Sequence, residues 1–225
     1  MKKRIKWVVA FFAMLMVVFG IQKIESIITG GKAVEEEAEV IIDSGHGGID
    51  PGKIGVHGES EKEINLKIAK ELQKDLKARG VKVIMTRTGD KGLYDETSEN
   101  KKVQDLKNRV DLINRVQPKL VVSIHQNSYG SPDVSGLQIF YFKHSSKGKQ
   151  MAETLQKSIE QTEQINSRPI KGDDTYYMLK RTEVPTVIIE CGFLSNPQEA
   201  SMLTEQDYQK KLAQIIADGV DKCIK

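Results

Sequence analysis

Two histidines, His46 and His125, stand just past short apolar runs, and a third such run ends on Glu190 with Cys191 behind it. Imidazoles and carboxylates at the ends of buried strands are the groups that bind divalent cations or move protons. Metal-assisted hydrolysis is therefore the first chemistry these residue types permit. Around His46 the stretch "DSGHGGIDPGKIG" (43–55) holds five glycines, which raises a competing reading as a phosphate cradle. That reading fails on spacing, because a dinucleotide fingerprint counted from Gly45 meets Gly47 in its third place but Asp50 in its sixth. Pro51, Gly52 and Gly55 also keep a helix from opening directly after the loop, and no Walker-type glycine-lysine signature occurs in the chain.

A catalytic zinc site uses two or three histidines, often with one carboxylate, and keeps a position open. His46 and His125 supply the nitrogens, and Glu59, Glu61 and Glu63 compete for the oxygen. Ile64, Ile68 and Leu72 mark the sheet-facing side of the helix that follows, and Glu61, three residues before Ile64, shares that side. Glu63 points away and is expected to form a capping box with Ser60, so Glu61 is the candidate ligand. The competing reading is that all three acids merely complement the helix dipole, an effect worth about 0.3–1 kcal/mol each, and this is the reading preferred for Glu63. His57 and His144 have no comparable placement and read as surface residues.

The elements that must position these groups alternate. "EVIID" (39–43) reads as a buried strand, and residues 60–80 as a helix closed by Gly80. "VKVIMT" (81–86) is a strand, "VQDLKNRVDLINRV" (103–116) a helix and "KLVVSI" (119–124) a strand. A strand at 136–142, a helix at 148–162, a strand at 184–190 and a last helix from Glu205 to Cys223 complete the order. Alternation of this kind predicts an α/β fold, a single three-layer αβα domain with a mostly parallel sheet. In such sheets ligands bind outside the carboxyl ends of the strands, where His46, His125 and Glu190 would meet on one rim.

The amino-terminal end has a different composition. Lys2, Lys3, Arg4 and Lys6 precede an uncharged, mostly apolar run from Trp7 to Ile21, the layout of an export signal or a short anchor. The expected organisation is a signal or anchor at 1–28, a linker at 29–37 and the catalytic domain at 38–225, working outside the cytoplasm. Residues 7–21 offer a possible membrane attachment. The formal charge of +3 belongs to this leader: five basic and one acidic side chain lie in residues 1–30, leaving 29 basic against 30 acidic beyond it. The domain thus lacks the basic footprint of a nucleic-acid partner. Two cysteines, Cys191 and Cys223, are too few for a disulfide framework.

The motifs "IIDSGHGGIDPG", "EKEINLKIA", "TRTGD", "NRVDLIN", "SIHQN" and "VPTVIIECGFLSN" occur in one order over residues 38–223. This pattern resembles the zinc-dependent N-acetylmuramoyl-L-alanine amidases of the amidase-3 type. The resemblance implies Zn²⁺ held by His46, Glu61 and His125, and Glu190 as the catalytic glutamate. It implies peptidoglycan as substrate, cut at the amide between the lactyl group of N-acetylmuramic acid and L-alanine. Small size, a leader and no wall-binding repeats make the chain most similar to the spore-cortex branch of that family. Some family members need a protein activator, so such a partner is a possibility here. The nine residues "SYGSPDVSG" after the second histidine are too short for the helical plug of some relatives, which implies an open site. Asn127, Arg87 and Ser44 are candidates for substrate contact or for supporting the metal ligands, and Arg87 could grip a peptide carboxylate. Two other functions compete: a cysteine hydrolase built on Cys191 with His125, and a non-catalytic wall-binding module on the same fold.

Overall fold

The computed structural model describes residues 37–162 and 165–225; the leader and nearly all of the linker expected from the sequence lie outside the described residues. Six strands form one sheet: β1 (Val40–Ser44), β2 (Val83–Met85), β3 (Leu120–Asn127), β4 (Gln138–Phe142), β5 (Lys171–Asp173) and β6 (Thr186–Phe193). They lie in the order β2-β1-β3-β6-β4-β5, parallel throughout except that β4 runs antiparallel to β6. The helices are α1 (Glu61–Ala78), α2 (Lys101–Val116), α3 (Ser146–Glu160), α4 (Tyr177–Arg181), α5 (Pro197–Thr204) and α6 (Gln206–Ile224). The three-layer α/β expectation holds.

Strand alternation divides the core in two. Val40, Ile42, Val122, Ile124, Val187 and Ile189 face α1, α3 and α6, where Ile68, Leu72, Leu155 and Ile216 are fully buried. The intervening Ile41, Val121 and Ile188 face α2 and α4, against Val110, Ile113, Met178 and Leu179. Three long helices therefore pave one face, while one long helix and one of five residues cover the other. The open part of that thinner face, at the carboxyl ends of the strands, holds the site. Among the described residues no helix is long and apolar enough to cross a membrane.

Local chemistry sets the helix ends. Asn100 caps α2 by accepting from Val103 N, and Asn196 caps α5 by accepting from Gln198 N and Glu199 N, with Pro197 in the first turn. Gly80, at φ +82°, ends α1 as expected. The expected Ser60–Glu63 capping box is absent: Ser60 Oγ is buried without a hydrogen-bond partner among the described residues, and only its carbonyl binds the first turn. The loop from Pro51 to Lys53 closes back on α1 instead, through Lys62 N to Pro51 O and Glu61 N to Lys53 O. β5, α4 and α5 were not expected from the sequence, since each is too short for a periodic signal.

Candidate active site

β1 delivers the glycine loop to the rim, and His46 occupies it with φ +61°, a left-handed conformation that costs a non-glycine residue about 1 kcal/mol or more. Two arginines hold the loop in that shape. Arg109 Nη2 donates to His46 O at 2.7 Å and Nη1 to Ser44 O at 2.8 Å. Arg87 donates to the carbonyls of Ser44, Gly45, Gly89 and Lys62. Gly47 and Asp50 then exchange backbone hydrogen bonds across the turn.

His125 sits inside β3, in register with Glu190 on the adjacent β6, so both side chains leave the same face. Glu61 reaches that point from the first turn of α1, 2 % exposed, as its place beside Ile64 predicted. Its Oε1 lies 3.1 Å from His46 Nε2 and 3.1 Å from His125 Nδ1. One donor atom from each of His46, Glu61 and His125 thus falls within 4.8 Å of the others. Two imidazole nitrogens and one carboxylate oxygen are a donor set of open catalytic zinc sites, and these residues fit that ion. Burial would raise the Glu61 carboxyl, but the hydrogen bonds and charges of His125 and His46 outweigh it and hold the group well below the usual carboxylate range. Its Oε2 accepts from Lys53 N at 2.7 Å, and its Oε1 from Gln126 N at 3.1 Å. Gly52, at φ +70°, is required here, because a Cβ would collide with Glu61 and with His46 Cδ2.

Glu190 is 5 % exposed, and its two oxygens differ: Tyr176 Oη donates to Oε1 at 3.3 Å, whereas Oε2 is buried without a partner among the described residues. Burial raises its pKa and the neighbouring Glu61 charge adds to this, against the pull of the two histidines and Tyr176. For His125, burial opposes the proton, but Glu61, Glu190 and Asp43 outweigh it and raise the pKa. His46, Glu61, His125, Tyr176 and Glu190 line one cleft of about 440 Å³, which Asn127 also lines.

Two expected contributors do not reach this cleft. Ser44 is fully buried, its hydroxyl without a partner among the described residues. Arg87 is 5 % exposed and all its nitrogens are bonded to carbonyls, so it cannot take a substrate carboxylate and acts as a brace for the loop. Burial, followed by the repulsion of Arg109, lowers its pKa to about 10. The Cys191 alternative is also overturned: strand alternation buries the thiol among the residues facing α1, α3 and α6, and burial pushes its pKa up. His57 and His144 are exposed, as expected.

Sequence reasoning passed over five residues. Asp50 Oδ2 lies 2.7 Å from His46 Nδ1, the ring nitrogen turned away from Glu61. Asp43 and Asp105 clasp Arg109, at 2.7 and 2.8 Å, in a buried ion network beneath the loop. Tyr176 reaches Glu190 from just ahead of α4. The available signal was charge on an apolar stripe: Asp105 and Arg109 share a helix face with Leu106, Val110 and Ile113, where unpaired charges would not be tolerated.

A mostly parallel sheet with two histidines and two glutamates gathered at its rim defines an α/β domain whose cleft could hold a metal ion, and comparison narrows the class. Residues 40–222 match the N-acetylmuramoyl-L-alanine amidase family, and the chain belongs to that family. It is 33 % identical to the germination-specific N-acetylmuramoyl-L-alanine amidase of Bacillus subtilis (strain 168), over 98 % of this chain and 95 % of that protein. The CwlD amidase from Clostridioides difficile, solved in complex with the GerS lipoprotein, superposes with a TM-score of 0.78 at 38 % identity, covering 83 % of this chain and 98 % of that one. The catalytic domain of CwlV from Bacillus (Paenibacillus) polymyxa gives a TM-score of 0.72 at 32 % identity, covering 81 % and 96 %.

Proposed function

We propose that this chain is a zinc-dependent amidase that hydrolyses the bond between the lactyl group of N-acetylmuramic acid and L-alanine in peptidoglycan. The single observation that carries the mechanism is the unpartnered, buried Oε2 of Glu190 beside three metal-type donors. His46 Nε2, Glu61 Oε1 and His125 Nδ1 would hold the ion, with Asp50 fixing the His46 tautomer so that Nε2 presents its lone pair. Zinc, when bound, supplies Lewis acidity that polarises a carbonyl and makes hydroxide available near neutral pH. Tyr176 holds Glu190 Oε1, which leaves Oε2 to take a proton from water and return it to the departing alanine nitrogen. A raised pKa suits both halves of that transfer, because the carboxyl then binds the proton and releases it with little penalty. Asn127, on the cleft wall, is placed to contact substrate. A non-catalytic wall-binding module would have no use for a buried carboxyl whose pKa is raised and whose second oxygen is unpaired.

The germination-specific relative supports action on spore cortex. Residues 1–28 would export or anchor the chain, residues 29–37 would tether it, and residues 38–225 would act outside the cytoplasm. A protein partner fits this reading, since the CwlD relative was solved bound to a lipoprotein. The test is to measure bound zinc and follow new alanine amino termini released from peptidoglycan, with and without chelator. Glu190→Gln should keep its zinc and lose turnover by about 10²–10⁴-fold. Full activity in that variant, or undiminished activity without metal, would overturn the mechanism.

A further inference from the structure

The cleft does not end at Glu190. A second lobe of about 520 Å³ adjoins it, sharing Asn127 and Tyr176 with the first and running across β4 and β5. Its cations are Arg168 and Lys171, each set over an aromatic ring: Arg168 Cζ lies 5.7 Å from the Phe193 centroid, and Lys171 Nζ 5.6 Å from that of Phe140. Arg168 has five donors, of which Nη1 reaches the Ser135 carbonyl at a long 3.3 Å. Its Nε is buried with no partner among the described residues. A donor buried to that degree is closed to a ligand, so a molecule entering the lobe meets the terminal Nη atoms of the guanidinium.

The acids near these cations make hydrogen bonds to neutral donors and keep their charge, so they hold the two cations in place without pairing directly with them. Asp173 Oδ1 accepts from Thr175 N, Thr175 Oγ1 and Tyr176 N. Glu199 approaches Arg168 from α5, but its Oε1 accepts from Gly136 N and its Oε2 from Phe193 N, both at 2.7 Å. The opposite flank of the cleft differs, because Lys102 there is paired with Asp50. The second lobe thus sets two cations, Arg168 and Lys171, against one carboxylate, Asp173.

The assignment that follows rests on the amidase reading above. The bond cut joins a sugar acid to L-alanine, so the departing half is a peptide, and a peptide ends in a carboxylate. We propose that the second lobe is the subsite for a carboxylate of that peptide, taken by the planar donor fork of Arg168 with Lys171 adding charge. Phe193 and Phe140 fix the two cations against the floor of the lobe. Specificity for the peptide length that places its carboxylate over Arg168 follows.

The test uses the full zinc-loaded chain carrying Glu190→Gln, with N-acetylmuramoyl-tri-L-alanine as free acid and as C-terminal amide in calorimetric titrations. The free acid should bind at least tenfold more tightly than the amide. Arg168→Gln should abolish that preference, Arg168→Lys should restore only part of it, and exposed Lys171→Gln should reduce it about threefold. If Arg168→Gln does not fold, the Lys171→Gln arm carries the same decision. Equal binding of acid and amide, or a preference that persists when both cations are replaced, overturns the subsite. So does loss of affinity for a peptide-free glycan fragment in Arg168→Gln, which would give the lobe to sugar. Continued alanine release in these titrations would instead fault the role of Glu190, while the acid-to-amide ratio still decides the subsite.

Discussion

At the scale of single residues, the candidate centre depends on which nitrogen each histidine presents. Asp50 sits 2.7 Å from His46 Nδ1 and thereby selects the tautomer whose Nε2 faces Glu61. Lys102, 3.2 Å from the same carboxylate, helps to hold Asp50 in place. Replacing such an outer carboxylate lowers metal affinity by about 10- to 100-fold in comparable sites. Asp50→Ala should therefore weaken zinc retention by that factor in a chelator competition, while activity recovers when zinc is supplied in excess. Unchanged retention would mean that the loop backbone alone orients His46. Glu61 was readable from the sequence because a helix turns acids three residues from an apolar stripe toward the sheet. Asp50 was not, since only the left-handed turn at His46 and Gly48 brings a carboxylate four residues on back against the ring.

At the scale of elements, α2 supports the glycine loop through one buried guanidinium. Arg109 is 1 % exposed and joins Asp43 at the end of β1, Asp105 on its own helix and the carbonyls of Ser44 and His46. Removing one partner of a buried ion network leaves uncompensated charge, typically costing about 3–5 kcal/mol. Arg109→Met should lose stability of that order in denaturant unfolding and weaken zinc binding too, because the His46 carbonyl loses its donor; a loss below about 1 kcal/mol would contradict the network. The same network predicts an acid limit. Burial would raise the Asp43 carboxyl, but Arg109 and the Ser123 hydroxyl overcome it and hold the pKa at about 2. A pKa depressed on folding gives stability that is complete above the unfolded value of about 3.9 and lost as pH falls toward 2, on the order of 2 kcal/mol. Acid unfolding of Asp43→Asn should lack that slope between pH 4 and 2. The long elements were legible because their apolar periods are strong. The network was not, because Asp43, Thr86 and Arg109 meet only through the sheet register and carry no local pattern.

At the scale of the whole molecule, the two faces of the sheet divide the labour. The face under α1, α3 and α6 carries a continuous apolar cluster running from Val40 to Val220, which needs no ion to form. The face under α2 and the five-residue α4 is covered only in part, and the cleft opens where that cover stops. The sequence order of strands and helices predicted the layers, but not this inequality, since α4 is one turn long and β4 reverses direction beside β6. Folding and metal binding should thus be separable. Chelation should abolish hydrolysis while leaving far-ultraviolet circular dichroism unchanged, and the melting temperature should fall on metal removal. An ion that binds only the folded chain stabilises it by about 2.7 kcal/mol at a hundred times its dissociation constant. For a domain of this size each kcal/mol moves the melting temperature by about 2–4 °C, so zinc should add roughly 5–10 °C. The increment should vanish in His46→Ala, which lacks a donor but keeps the apolar cluster intact. Equal melting temperatures with and without zinc would remove the ion from this site, and collapse of the fold on chelation would show that the ion, rather than the paved face, holds the sheet together.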